Sequence, residues 1–487
     1  IVTLDATGNI ELVNVKANNG AKLTSGAAID GSTVVVNSDD AKLTAVQIAN
    51  SAITTESGSV IFTAGDLYNL TVTSAGVIDG TAVVGNLVGG SYVAAGDITF
   101  DAASTIASAS FDGSADVILT ASGNIELVGV KANDNATLTS TAGAIDGATV
   151  IANNGAAMLK AEAGFIANTA VEAGGAATVK AGTDVSGTSV TAVGDIAIEA
   201  TAGTIQGTSA LGDGAMTLTA GQEIDGSDFT AAGDITIAAT DLAASSFISE
   251  TGAISVGSVA NIIDSTIWAK LGAITITNVT EELDGSTISA ATDLTLTANW
   301  IVGSSLIAEN GLLDVTATTI DGSELLSKQG GIELAVNAVN DTSLAAWTYI
   351  TTTGADALVS TITASSMTAA TGNVTVDTFR TVNALTVNAG GDATVGGVSA
   401  VTVGTIIGGE YITMGATTLS ALGEIGGVTV QAQDAALLAS GADIVNSTIE
   451  GSTVGLTAAG NISNTAAEAQ TTADLTAVNA ISGSNVT

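Results

Sequence analysis

Leu283-Asp284-Gly285-Ser286-Thr287-Ile288 is the stretch of sequence that decides the fold, because its pattern recurs along the whole chain. The pattern is an apolar residue, any residue, Gly, Asn or Asp, then Ser or Thr, any residue, and a second apolar residue. Its third position returns about every 20 residues, a nearly fixed period of the kind that marks repeat architectures. The 25 third positions are Asn14, Gly31, Asn50, Asn69, Gly90, Ser108, Gly129, Gly147, Asn168, Gly187, Gly207, Gly226, Ala244, Asp264, Gly285, Gly303, Gly322, Asp341, Ala364, Asn383, Gly404, Gly427, Asn446, Asn464 and Gly483.

These third positions predict a corner of the backbone that is made about 25 times. Among them, 13 are Gly, 7 are Asn and 2 are Asp. Gly meets no steric penalty at positive φ, and Asn and Asp tolerate that conformation better than most residues. The glycines that we expect to be structural corner residues include Gly31, Gly147, Gly187, Gly207, Gly226, Gly285, Gly303, Gly322 and Gly483.

A second pattern, in step with the first, predicts short strands. Apolar-x-apolar triplets such as Ile235-Thr236-Ile237, Ile254-Ser255-Val256 and Ile274-Thr275-Ile276 follow one another with the same period as the corners. Their internal alternation has the period of two that places one face inward and one face outward. No stretch of helical length carries an apolar stripe at helical spacing, so the sequence predicts an all-β protein.

A unit of about 20 residues with two or three short strands cannot bury an apolar face by itself. The repeat therefore predicts a single-stranded parallel β-helix, or β-solenoid, of about 25 coils of roughly 19–20 residues. We expect one continuous domain over residues 1–487, and the strand spacing of ~4.8 Å would give a rod on the order of 120 Å long. Either handedness fits the pattern.

Most corners are followed by Ser or Thr, which predicts a column of hydroxyl groups. These hydroxyls either pass hydrogen bonds along the column or simply fit a tight bend.

The two longest corner intervals run from Asp341 to Ala364 and from Gly404 to Gly427, where we expect small loops. Residues 8–18 are nearly repeated by residues 123–133, which indicates growth by the copying of several coils at once.

The chemistry of the chain argues against an enzyme. It has no His and no Cys, which removes the usual triads, thiol nucleophiles, zinc sites and haem ligands. A polysaccharide-acting β-helix enzyme could work with carboxylates alone, but the acids are spread out and the single Arg380 does not complete such a site. We predict no catalytic residue.

A net charge of -39 excludes nucleic acid as a partner, and no apolar stretch is long enough for a membrane span.

Calcium is the one cofactor that the sequence leaves open. The Asp-Gly pairs offer weak candidate ligands at Asp30, Asp146, Asp225, Asp284 and Asp321. They do not match the nine-residue calcium-binding repeat of β-helices. A turn-forming Asp beside a left-handed Gly explains them equally simply and is the interpretation that we favour.

Two further sequence patterns, threonine runs and a group of tryptophans, suggest candidate binding surfaces. Thr-x-Thr runs such as Thr275-Ile276-Thr277 are compatible with an ice-binding solenoid, although threonine is also a common exposed strand residue and the runs are not confined to one phase of the coil. Trp268, Trp300 and Trp347 fall within about five coils. They either mark an exposed contact with sugar or protein or fill a wider section of core, and we favour the core.

The runs Val193-Gly194-Asp195-Ile196-Ala197-Ile198 and Ala232-Gly233-Asp234-Ile235-Thr236-Ile237 resemble the roughly 20-residue repeats of filamentous-haemagglutinin-like exoproteins. This resemblance implies a secreted bacterial β-helix used for adhesion or contact between neighbouring cells. The amino-terminal secretion module of that family is not visible in the chain.

These observations together predict a structural or adhesive fibre protein, located outside the cell or on its surface. The repeat is still in phase at Ile1-Val2-Thr3-Leu4 and at Ile481-Ser482-Gly483-Ser484, so we expect copies to stack head to tail into a filament or surface layer. The alternative is the stalk of a giant secreted exoprotein, of which this chain is a segment. Contacts with the cell surface or with polysaccharide fit either form.

Overall fold

The computed structural model describes residues 1–354, 360–396 and 403–487. These residues form parallel strands stacked as a β-solenoid of about 25 turns, and none of them lies in a helix. The fold class predicted from the sequence is therefore confirmed.

The contacts divide the chain into two compact units. One contains Ile1–Thr240 and Ser245–Phe247, and the other contains Asp241–Ala244 and Ile248–Thr487. The single continuous domain over residues 1–487 stays a prediction.

The strands up to Thr240 are Val2–Ala6, Ile10–Glu11, Asn14–Ser25, Ala28–Asp30, Thr33–Ala49, Ala52–Thr55, Val60–Ser74, Ile78–Val83, Leu87–Ala94, Ile98–Ala102, Ile106–Ala107, Ser110–Gly113, Val117–Ala121, Ile125–Glu126, Gly129–Ala132, Ala136–Ser140, Ile145–Asp146, Thr149–Ala152, Ala157–Ala161, Ile166–Ala167, Ala170–Ala173, Ala177–Ala181, Val185–Ser186, Ser189–Ala192, Ile196–Ala200, Ile205–Gln206, Ser209–Gly212, Met216–Ala220, Glu223–Asp225, Asp228–Ala231 and Ile235–Ala238.

The strands after Thr240 are Asp241–Ala243, Ser246–Ser249, Ile254–Ile263, Thr266–Ala269, Ile274–Asp284, Thr287–Ala290, Leu294–Val302, Ser305–Ala308, Leu313–Asp321, Glu324–Ser327, Ile332–Asn340, Ser343–Ala346, Ile350–Gly354, Thr361–Thr363, Ser366–Ala369, Val374–Asp377, Thr381–Asn383, Thr386–Ala389, Ala393–Val395, Thr405–Ile407, Glu410–Thr413, Thr417–Ala421, Ile425–Gly426, Thr429–Ala432, Ala435–Ser440, Ile444–Val445, Thr448–Ala458, Ile462–Ser463, Ala466–Ala477, Ile481–Ser482 and Asn485–Val486.

One turn shows how the repeat builds the solenoid. After the corner at Gly187, the first strand is Ser189–Ala192, the second is Ile196–Ala200, and a short third strand, Ile205–Gln206, leads to the next corner. The second strand pairs in parallel with its counterparts in the preceding and following turns, residue for residue. Equivalent positions of the repeat therefore lie directly beside one another along the stack.

Alternation along each strand builds the core. In the second strand just described, Ile196, Ile198 and Ala200 are buried, whereas Ala197 and Glu199 point outward. Val, Ile, Leu and Ala fill most of the interior, as the sequence predicts. Aromatic rings also contribute, as where Phe62, Tyr92, Phe100 and Phe111 pack with ring centroids 5.0 to 6.2 Å apart.

The predicted corner glycines have the left-handed backbone that their position requires. All nine have φ between 53° and 64°. Gly207 and Gly226 have open space where a Cβ would stand, so the backbone conformation alone is what selects glycine there.

Two predicted corners, Asn14 and Gly129, are placed wrongly by two residues. The positive-φ residues in those turns are Leu12 and Leu127, at 52° and 50°, and their side chains are 84% and 68% exposed. Both belong to the duplicated segments, in which a leucine stands at the third position of the pattern. Preference for Asn or Gly at the corner moved the prediction past these leucines.

Three further corners lie elsewhere than predicted. The corner assigned to Gly90 lies at Gly89, with φ of 71°, because the register pairs Tyr68 with Val88 and Leu70 with Gly90. The turn assigned to Asn383 has its positive φ at Ala384, and the corner assigned to Gly404 lies at Gly408. The interval from Gly408 to Gly427 then has the ordinary length of the repeat, and the loop predicted there is wrong. The other long interval, from Asp341 to Ala364, includes residues 355–359, which lie outside the described residues.

Candidate functional site

The hydroxyl column after the corners carries hydrogen bonds from turn to turn. The backbone N–H of Ser286 donates to Oγ of Ser304 in the next turn (3.2 Å), and the N–H of Ser304 donates to Oγ of Ser323 (3.2 Å). Each hydroxyl in turn donates to a carbonyl two residues earlier, as Ser304 does to Val302 (2.9 Å). These side chains are buried, so the column stabilises neighbouring turns and does more than fit a tight bend.

A second ladder, which the sequence analysis missed, uses Asp and Asn, most of them at the residue just before a strand. Oδ1 of Asp97 accepts the N–H of Asp116 (3.1 Å), and Oδ1 of Asp116 accepts the N–H of Asn135 one turn later (2.9 Å). Other acceptors of the same kind are Asn9, Asp40, Asp66, Asn86, Asn124, Asn135, Asp184, Asp195, Asp241, Asp293, Asn373, Asp392 and Asp443. The recurring Asp-Ile and Asn-Ile pairs were the available signal. Many of the acidic residues thus have a structural role.

The five candidate calcium ligands stand on the outside of the solenoid, immediately before their corners. Asp284 and Asp321 are two turns apart, because Val302 lies between them in the register. Asp30 accepts a hydrogen bond from Nδ2 of Asn50 (2.9 Å), and Asp146 from Nδ2 of Asn168 (3.0 Å).

The remaining candidate, Asp225, accepts a hydrogen bond from Nε2 of Gln206 (3.0 Å). The structure therefore does not bring the five carboxylates together. Within residues 1–354, 360–396 and 403–487, no group of three or more acidic side chains could hold a metal ion.

The tryptophans are on the surface, so the interpretation that they fill the core is wrong. Trp268, Trp300 and Trp347 are 42%, 49% and 54% exposed. Most phenylalanines, in contrast, are among the largest fully buried side chains. Strand alternation could have revealed the first of them, since Trp268 lies between the buried Ile267 and Ala269. An exposed indole on an aromatic-poor chain identifies a candidate contact surface.

Trp347 and Tyr349 stand at the connection between the first strand Ser343–Ala346 and the second strand Ile350–Gly354. The backbone N–H of Trp347 donates to the carbonyl of Ser327 in the preceding turn (3.1 Å), which fixes its position. Trp347 lines a cleft of about 400 Å³ together with Lys328 and Gln329.

The neighbouring second strands contribute two carboxylates. Asp314 and Glu333 are register partners on successive turns, and both line a cleft of about 200 Å³. The phenol of Tyr349 donates to Oε1 of Glu333 (2.7 Å), and its ring lies where a side chain on Gly331 would stand.

Burial raises the pKa of the Asp314 carboxyl, and the charge of Glu333 raises it further. The hydrogen bond to Glu333 raises the pKa of the Tyr349 phenol. The site thus combines an exposed indole, a fixed hydroxyl and two carboxylates that repel each other. We call Asp314, Glu333, Trp347 and Tyr349 the indole–carboxylate site.

Threonine columns flank this site but do not form a continuous array. Thr297 and Thr316 are aligned in one outward column. The neighbouring outward column passes from Thr295 to Asp314 and Glu333 before it returns to threonine. These carboxylates interrupt the flat threonine surface that an ice-binding face would present.

Comparison with protein-family models, with curated proteins and with solved structures gives no match for this chain. None of the described residues forms a helix long and apolar enough to cross a membrane. Functional assignment therefore depends on the fold, the columns between turns and the indole–carboxylate site.

Proposed function

We propose that this protein is a structural or adhesive fibre protein that acts outside the cell or on its surface. The observation that carries the proposal is the number of different bonds between neighbouring turns. Parallel strands, the hydroxyl column and the Asp/Asn ladder all join the same two turns, as between the turn after Gly285 and the turn after Gly303. Bonds that act side by side share a load, so such a stack is suited to a mechanical role.

The composition of the chain supports an extracellular setting. The net charge of -39 keeps such molecules soluble and apart until cations screen it. Many outward side chains of the strands are short and polar, whereas the interior is mostly apolar apart from the hydroxyl column. The role proposed for these strands is to hold surface groups at a fixed spacing.

Two forms of the fibre are compatible with this fold. In the first, copies of the chain stack head to tail into a filament. Support comes from the register, because every turn presents nearly the same row of donors and acceptors, and a turn of one copy can follow a turn of another.

In the second form, the chain is part of the stalk of an exoprotein similar to filamentous haemagglutinin. The Gly-Asp-Ile runs that carry this resemblance have a structural role here, since Asp195 accepts the N–H of Ala215 in the Asp/Asn ladder (2.8 Å).

Electron microscopy of material from the producing cells, with antibody labelling, tests the proposal. Labelled fibres at the cell surface or in the medium are the expected result. Denaturing gels then separate the two forms, because a polymer releases chains of one short length and a stalk migrates as one giant polypeptide. Label found only inside the cells, with no fibre, would overturn the proposal.

A further inference from the structure

The indole–carboxylate site has features that a solenoid does not need for its own stability. Trp347 is about half exposed, and a smaller polar residue would serve the connection between two strands. Asp314 and Glu333 place like charges on successive turns, roughly 4.8 Å apart along the stack, which is unfavourable without a cation between them. Costly features grouped at one place indicate a ligand.

The charged side chains around the site indicate the sign of the charge that the ligand carries. The nearest base that lines its cleft, Lys328, is already paired with Glu309 (Nζ to Oε1, 2.7 Å). Asp314 and Glu333 have no basic residue among the side chains lining their own cleft. The site therefore offers net negative charge on the two turns before the one that carries the exposed indole of Trp347, which favours a ligand with cations and a flat apolar surface.

We propose that the indole–carboxylate site binds a glycan chain that carries free amino groups, such as a deacetylated hexosamine polymer. One sugar ring stacks on the indole of Trp347. An ammonium group on a nearby ring lies between Asp314 and Glu333 and donates hydrogen bonds to both. Tyr349, held by Glu333, offers its oxygen as an acceptor for a ring hydroxyl.

Geometry supports a polymer over a single sugar. The two carboxylates belong to successive turns, and Trp347 lies one turn beyond Lys328, so the groups are distributed along the stacking direction. An extended chain of sugars lying parallel to that direction meets them in succession. The raised pKa of Asp314 fits this arrangement, because burial and Glu333 both oppose its charge until an ammonium group compensates.

This inference names a ligand for the proposed adhesive fibre. Its biological role rests on the proposed function, whereas the binding itself can be tested separately. Isothermal titration of the full chain with a glucosamine hexamer is the test, at a pH where amines and carboxylates are charged. We expect saturable binding that weakens with salt. The N-acetylated hexamer should bind about tenfold less tightly, and an oligogalacturonate should not bind.

Variants distinguish a site from general attraction to an acidic protein. Trp347→Ala and Glu333→Gln should each weaken binding of the glucosamine hexamer by about tenfold, and Glu333→Gln should also reduce its salt dependence. Trp300→Ala is the matched control, because Trp300 is similarly exposed but lies near the end of strand Leu294–Val302, between Glu282 and Thr319 in the register. Its binding should be unchanged.

Three results would overturn the inference. The first is no binding of the glucosamine hexamer, and the second is binding that neither Trp347→Ala nor Glu333→Gln weakens, which would show adsorption by overall charge. The third is equal binding of oligogalacturonate. None of them bears on whether the chain forms fibres, so failure of this inference and failure of the proposed function are separable.

Discussion

Replacing Gly147 by Ala tests the corner and the unusual leucine beside it together. At φ 64°, any residue with a Cβ is forced into the left-handed region, which costs about 1–2 kcal/mol. In addition, the new Cβ would lie 2.8 Å from Cδ2 of Leu127 in the preceding turn. Moving that side chain off its rotamer adds about 0.5–1.5 kcal/mol, so we expect a total of ~1.5–3.5 kcal/mol.

Gly207 supplies the matched control for this substitution. Its φ is 54°, and no atom lies within 4 Å of an added Cβ, so Gly207→Ala should cost only the backbone term of about 1–2 kcal/mol. Leu127→Asn removes the clashing group and replaces a strained leucine with a residue that tolerates positive φ. By itself it should stabilise by about 1 kcal/mol, and it should reduce the cost of Gly147→Ala.

Hydrogen exchange read by mass spectrometry is the suitable assay, because stacked repeats unfold piecemeal and one melting temperature is not well defined. The free energy of local opening is compared around residues 125–150 among Gly147→Ala, Leu127→Asn and the double variant, and in the strands next to Gly207 for Gly207→Ala. A cost of Gly207→Ala equal to that of Gly147→Ala, together with no coupling between Leu127 and Gly147, would refute the reasoning.

Four further outcomes follow from the columns and charges. Ser304→Ala should cost about 1–3 kcal/mol in local opening, because the buried N–H of Ser286 loses its acceptor. Asp116→Ala should cost about 1 kcal/mol, since the N–H of Asn135 loses a ladder bond. The free energy of local opening in strand Leu313–Asp321, obtained after correcting exchange for its intrinsic pH dependence, should fall as pH rises above ~4, because a carboxyl with a raised pKa contributes stability only while protonated. Calorimetry with calcium should show no saturable binding, and chelators should leave thermal stability unchanged.

Each of these has its own control. Ser305→Ala changes the next hydroxyl along the chain, which points outward, and should have little effect. Asp116→Asn keeps the acceptor oxygen and should restore most of the lost stability. Asp314→Asn should abolish the pH dependence of the free energy of opening in its strand, and persistence of that dependence would assign it to another group. Stoichiometric calcium binding with a gain in stability would contradict the last prediction.

The repeat itself was predictable from the sequence. Corner residues such as Gly285 and triplets such as Ile274-Thr275-Ile276 depend on local backbone sterics and strand alternation, which residue type and spacing express directly. Corners were misplaced where the residue type that favours positive φ did not stand at the position that the repeat spacing required, as at Leu12. A preference for Asn outweighed the spacing there, although the backbone accepts a strained leucine in that turn.

The arrangement of side chains on the surface was not predictable to the same degree, because side chains that lie beside one another there are about one turn apart in sequence. Asp314 meets Glu333, and Asp97 meets the backbone of Asp116, only once the register between turns is set. A shift of one residue would turn either side chain to the opposite face. Local sequence therefore determined the solenoid and its interior, whereas the parallel register alone decided which outward groups stand together, because that register is a property of the stacked turns and of no single one.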